Sequence, residues 1–144
     1  MVKQVAGTHY KSSFQHWDFV EMFEIGYLEA NATKYVLRWK KKNGVEDLKK
    51  AKSYVEKLIL EMHFNDRRSK STIGDDFFIN EFCISNKLGE KERNICHVLL
   101  AQWEVVEELE AVIGWIDQLI EEASQPRIDS TGQDSPFGYD GEEG

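Results

Sequence analysis

No apolar run in this 144-residue chain approaches the roughly 18 residues that a membrane-spanning helix needs. The N-terminus also lacks the basic-then-apolar layout of a secretory signal, so a cytoplasmic setting is expected. Cysteine is scarce. Cys83 and Cys96 form no metal-ligand spacing and would bridge only if the fold brought them together, so two buried thiols are expected. The common phosphate and nucleophile signatures are missing too: there is no GxxxxGK(S/T) loop, no GxGxxG, no GxSxG and no Cys/His zinc spacing. His9, His16, His63 and His97 are scattered, a pattern that favours separate structural roles. Neither an internal repeat nor an alternating run of strand type is evident, and the expected fold class is all-α.

What is present is an uneven charge. The formal net charge is −8, which argues against general nucleic-acid binding. Yet residues 34–57 carry nine Lys/Arg against three Asp/Glu, whereas residues 101–144 carry one Arg against twelve acids. A local basic site therefore hides inside an acidic chain.

That basic site lies in residues 31–54, NATKYVLRWKKKNGVEDLKKAKSY, two helical patterns joined by Asn43-Gly44. Asn31, Lys34, Arg38 and Lys41 or Lys42 recur at steps of three and four and share one face. Leu28, Ala32, Tyr35, Val36 and Trp39 line another. On the second helix Leu48, Ala51, Val55, Leu58, Ile59 and Met62 form the apolar stripe, with Asp47, Lys50, Tyr54 and Lys57 along its edge. The result is a helical hairpin with a cationic face suited to a phosphate-bearing ligand: Arg grips phosphate through paired hydrogen bonds and Lys adds a mobile charge. A solvated basic face paired to Glu46, Asp47 or the C-terminal acids explains the same spacing.

The remaining organisation follows from periodicity. Residues 1–13 read as an extended lead-in and 14–64 as a helical domain. A helix starting near Gln15 or His16 is expected to carry Trp17, Val20, Met22 and Phe23 inward and to stop at Gly26. Helices over 27–42 and 45–63 follow, with Glu46 and Asp47 in the first turn of the latter, where the helix dipole favours acids. Residues 65–76 read as a loop, and 77–88, FFINEFCISNKL, as a short buried helix or else a strand.

Residues 77–123 form a C-terminal helical region. Its longest pattern, over 90–123, has Leu99, Val106, Ile113 and Ile120 as one heptad seam and Ile95, Gln102, Leu109 and Ile116 as another. A core-facing helix and a homo-oligomer helix through residues 95–120 both fit. Glu104, Glu107, Glu108, Glu110 and Asp117 flank it. With Glu21, Glu24 or Glu29 they could make a magnesium site, or they are simply a solvated flank. Residues 124–144 read as a disordered acidic tail, in which Phe137 and Tyr139 are the docking candidates.

Over residues 9–58 the chain resembles a domain family of tailed phages that includes a small nucleotide kinase without a Walker motif. The residues behind the resemblance are His9-Tyr10, Trp17-Asp18, Asn31, Lys34-Tyr35, Arg38, Lys42-Asn43-Gly44, Asp47-Leu48, Lys50-Ala51 and Tyr54. It implies transfer of a phosphoryl group from ATP or another nucleoside triphosphate, with Mg²⁺, to a (deoxy)nucleoside monophosphate inside an infected bacterial host. Such transfer rests on positioning and charge neutralisation. Under that reading His9, Lys34 and Arg38 are catalytic. Tyr10, Asn31, Lys41, Lys42 and Tyr54 join Lys34 and Arg38 in binding the nucleotide, Tyr35 or Trp39 stacks on a base, and Asp18 and Asp47 orient the cations. Two alternatives stand behind it: a binding protein that sequesters a nucleotide or nucleotide-derived signal without turnover, and a phage–host interaction protein acting through the acidic helix and tail.

Overall fold

The computed structural model describes residues 15–125. Among them are six helices and no strand: α1 (His16–Phe23), α2 (Tyr27–Arg38), α3 (Val45–Asn65), α4 (Phe77–Ser85), α5 (Glu90–Leu99) and α6 (Val106–Ser124). None is long and apolar enough to cross a membrane.

Two apolar clusters organise them. The larger joins α2 (Ala32, Val36), α3 (Leu48, Ala51, Val55, Leu58), α5 (Ile95, Leu99) and α6 (Leu109, Val112, Ile116, Leu119), with Trp103 closing one end. The smaller gathers Phe19 of α1, Ile73, α4 (Ile79, Phe82, Cys83) and Cys96 and Leu100. Helix α5 is the shared wall: Ile95 and Leu99 face one cluster and Cys96 the other, because residues one apart on a helix lie about 100° apart. Both cysteines are free and buried. The 14–64 and 77–123 regions therefore meet in one core.

Several local expectations need correction. In α1 Val20 and Phe23 pack inward as expected, but the fully buried residue is Phe19, while Trp17 and Met22 are 64% and 58% exposed. The helix ends at Glu24, which takes the left-handed conformation (φ 56°), not at Gly26, which has φ −64° and starts α2. Helix α2 stops at Arg38 instead of 42, and residues 39–44 make the turn. There Gly44 has φ 59° and ψ −128°, and its N–H reaches Trp39 O at 2.9 Å.

A Cβ on Gly44 would meet nothing within 4 Å. Gly44→Ala therefore tests backbone conformation alone. It should cost about 1–3 kcal/mol in urea unfolding, with no change in the slope of the transition.

The long pattern over 90–123 is not one helix. It breaks at residues 100–105, where Trp103 is drawn into the core. The Glu108 carboxylate folds back to accept the N–H groups of Glu104 (2.7 Å) and Val105 (3.1 Å), which starts α6 afresh. The core-facing reading holds for Ile95, Leu99, Leu109 and Ile116, which are fully buried within the chain, while Val106, Ile113 and Ile120 of the first seam are half-buried. Gln102 sits in the break and donates to Ser71 O at 3.0 Å. Helix α4 is also shorter than 77–88, and only Ile79, Phe82 and Cys83 are buried on it.

The 66–76 segment is a pinned strap. Thr72 N–H bonds to Phe23 O (2.9 Å), Ser71 Oγ to Leu100 O (2.7 Å) and Ser69 Oγ to Ala101 O (3.1 Å).

Candidate functional site

Packing of α2 on α3 through Ala32, Val36, Leu48, Ala51 and Val55 sets their polar edges side by side. Tyr35 lies at the centre. Lys34 Nζ stands 4.9 Å from its ring centroid, Arg38 Cζ 4.6 Å and Lys50 Nζ 5.3 Å. Tyr54 of α3 stacks on Tyr35 (6.0 Å, 12°), and Tyr27 meets Tyr54 edge-on at 6.3 Å. Burial raises the Tyr54 hydroxyl above its ordinary range, helped by Tyr27 and Tyr35. Cations prefer the electron-rich face of an aromatic ring, which explains why three gather on one tyrosine.

One carboxylate answers them. Asp47 is fully buried in the first turn of α3 and accepts from Arg38 Nε and Nη2, both at 3.4 Å, and from Asn43 N–H at 3.1 Å. Burial alone would raise this acid, but the hydrogen bond from the Asn43 backbone and the Arg38 guanidinium outweigh it and hold it below the usual carboxylate range. Among the described residues neither Lys34 nor Lys50 lies within ion-pair distance of a carboxylate. The face is therefore left with an excess of positive charge.

Not every residue singled out in the sequence joins this cluster. Asn31 turns back to donate to Tyr27 O at 2.9 Å. Lys41 and Lys42 are exposed on the 39–44 turn. Trp39 is committed elsewhere, its Nε1 donating to Glu92 at 3.0 Å. Asp18 is exposed on α1 and forms no ion pair among the described residues. His9, Tyr10, Phe137 and Tyr139 lie outside the described residues. Lys50 is the member that spacing along α2 did not reveal; it was visible only as an edge residue of α3.

His16 borders the site. Its Nε2 is hydrogen-bonded to Thr33 Oγ1 at 2.7 Å, and the same hydroxyl lies 2.9 Å from the Glu29 carbonyl. Burial, with the charge of Lys34 added, pushes His16 down to about 4. A histidine that is harder to protonate folded than unfolded stabilises fully above about pH 6.5. That contribution is lost as pH falls toward 4, because the unfolded chain then binds the extra proton. Urea unfolding between pH 7 and 4.5 should show a loss of up to about 3 kcal/mol from this group, and His16→Gln should flatten the slope.

Two further acids are buried: Glu92, which the sequence reading did not single out, and Glu29, which it named only as a candidate magnesium ligand. Glu29, 1% exposed, is gripped by Arg67 through Nη1 (2.9 Å) and Nη2 (2.7 Å) and by Trp103 Nε1 (2.9 Å). A Cβ on Gly26 would collide with the ends of this pair, so a side chain there would have to displace the Arg67–Glu29 contact. Glu92, 4% exposed, accepts from Trp39 and pairs with Lys40 at 3.6 Å beside a cleft of about 60 Å³. The signal was available: Glu29 shares the spacing of Ala32, Thr33 and Val36, and Glu92 that of Ile95, Cys96 and Leu99, so each acid lies in an apolar stripe.

Among the described residues no three His, Cys, Asp or Glu side chains converge as metal ligands. An open recess of about 410 Å³ between the strap and the 100–105 break is lined by Arg68, Ser71, Gln102 and Trp103, with the Ser71 and Gln102 side chains already hydrogen-bonded inward.

Comparison with known proteins gives one match. Residues 5–56, which include α1, α2 and the cationic edge of α3, match the model of a family described as a protein of unknown function, DUF3310. This corrects the resemblance to a nucleotide kinase family, because the family matched over the same residues carries no kinase assignment. No curated protein and no solved structure matches the chain. The chain is thus similar, over about a third of its length, to a family whose activity is itself undefined.

Proposed function

We propose that the α2–α3 face binds a nucleotide or nucleotide-derived anion without turning it over. The observation that carries this reading is the convergence of Lys34, Arg38 and Lys50 on Tyr35 with, among the described residues, the buried Asp47 alone paired to any of them. A phosphate group supplies the missing negative charge, and Arg38, held by Asp47, is presented in a fixed direction. The tyrosine ladder adds what a simple phosphate would not use. Tyr27 is 71% exposed at its outer end and offers a ring on which a base can lie.

Phosphoryl transfer to a (deoxy)nucleoside monophosphate, with Mg²⁺ delivered by the triphosphate, is the second reading. It shares the cations but has less to draw on: Asp47 is enclosed and committed to Arg38 and Asn43, so it is poorly placed to take a proton from an acceptor hydroxyl.

Calorimetry with mono-, di- and triphosphates, nucleosides and pyrophosphate separates these readings. Nucleotides are expected to bind more tightly than pyrophosphate, and nucleosides weakly. Lys34→Ala with Lys50→Ala should weaken nucleotide binding roughly 100-fold, about 1.4 kcal/mol per tenfold, while the fold is retained because both side chains are exposed. Tyr27→Ala should erase the preference over pyrophosphate. Recovery of unchanged ligand supports sequestration; a diphosphate product formed from ATP and a monophosphate replaces it with transfer. Equal binding by the double variant removes the site.

A further inference from the structure

A second surface, on the other cluster, has nothing to do with phosphate. Helix α4 is apolar on two sides. Its inner side buries Ile79, Phe82 and Cys83, while Phe77, Phe78 and Ile84 are 59%, 42% and 67% exposed. Phe77 and Ile84 are seven residues apart and so share the outer face. An ordinary surface helix carries one apolar stripe; a helix apolar on opposite sides is one built to be covered on both.

The exposed rings are also held rigidly. Phe82 contacts Phe19 (4.9 Å), Phe19 contacts Phe23 (4.7 Å), Phe23 contacts Phe78 (5.3 Å) and Phe78 meets Phe77 edge-on (5.2 Å). This chain of rings runs from the core to the surface. Phe77 and Phe78 thus have a firm backing, which lowers the ordering cost of binding. Aromatic anchors of this kind dominate binding energy at protein interfaces.

Charge decides the occupant. Asp18 and Glu21 of α1, Glu24 at its end, Asp75 and Asp76 ahead of α4, and Glu81 on the outer stripe between Phe77 and Ile84 are all exposed. Neither α1 nor α4 contains a lysine or arginine. His97 stands 3.8 Å from Asp76, and the first lysine after α4 is the exposed Lys87, beyond its C-terminal end. A second copy would bring the same acids against these, and an anionic lipid surface or nucleic acid would be repelled in the same way. Residues 126–144 of the chain, with one Arg and five acids, suit it no better.

We propose that the outer face of α4, with the adjoining edge of α1, docks a lysine- or arginine-rich amphipathic helix of another protein. The apolar side of that helix would cover Phe77, Phe78 and Ile84, and its basic flank would meet Glu81 and the aspartates.

The test uses the full chain and a synthetic helical peptide of leucine and lysine whose leucines form one stripe, with a scrambled peptide of equal composition as control. The striped peptide should bind at least tenfold more tightly than the scrambled one, and binding should weaken with salt. Phe77→Ser with Glu81→Lys should weaken it a further tenfold or more, with the helical circular dichroism unchanged because both side chains are exposed. Equal binding of the two peptides, or binding untouched by the double variant, overturns the proposal. So does a photo-crosslinker at position 78 that captures residues 1–14 of the same chain in the absence of peptide, because the face would then be covered from within. A dimer in sedimentation that the double variant disperses overturns it likewise, in favour of a second copy.

Discussion

Arg67→Ala is expected to remove about 3–5 kcal/mol of stability, the cost of leaving one half of a buried ion pair behind. Glu29 is almost fully enclosed, and three donors fill its two oxygens: the two Arg67 nitrogens and the Trp103 indole. Without Arg67 only the indole remains, and a desolvated carboxylate faces the end of the larger core. The same substitution unties the strap, since Arg67 joins it to α2 from 38 residues away in sequence. Urea unfolding followed by tryptophan fluorescence reads the effect directly, because Trp103 contacts both partners. Glu29→Gln in the Arg67→Ala background should recover part of the loss, since a neutral amide is far cheaper to bury than a charge. A loss below 1 kcal/mol would mean that water reaches Glu29 and that the knot is not what joins the strap to the helices.

The second large effect is expected at Phe19. Its ring is fully buried between Phe23 and Phe82, and Phe19→Ala should cost about 3–5 kcal/mol through lost burial and the cavity left behind. Met22→Ala on the same helix should change stability by roughly 0.5 kcal/mol or less, because that side chain stands largely in solvent. The pair of measurements, by urea midpoint at constant slope, decides which face of α1 is inward. Equal losses at both positions would contradict the orientation of the helix.

α1 also shows where reading the chain runs out. HWDFVEMF is apolar on nearly every side, and a helix of eight residues has barely two turns over which to establish a phase. Trp17 and Phe19 compete for the inward position on equal sequence terms. Only the presence of Phe82 and the 73–83 region on one side settles it. The same ambiguity affects α4, whose outer apolar face is indistinguishable from its inner one until α5 covers the latter.

The heptad seams of residues 95–120 show a different limit. Their spacing is real, and Ile95, Leu99, Leu109 and Ile116 are buried in a cluster shared with α2 and α3 of the same chain, while Val106, Ile113 and Ile120 stay half-buried. A regular apolar stripe states that something will cover it and is silent about what. The break at 100–105 contains neither glycine nor proline and follows from two long-range or side-chain contacts, Trp103 on Glu29 and Glu108 on its own helix start. Neither leaves a mark in local propensity.

Periodicity and charge by themselves determined the all-helical class, the α2–turn–α3 hairpin with Gly44 at its bend, and the excess of cations along it, because each is set by residues within one or two turns of one another. What only the tertiary structure decided is how those charges are used. It sends Lys40 to Glu92 and Trp39 away from the face, seats Asp47 under Arg38, and brings Lys50 from α3 to the same tyrosine as Lys34 and Arg38. The physical reason is distance. A side chain's charge acts over a few ångströms, and which opposite charge stands within that range depends on helix packing, not on spacing along the chain.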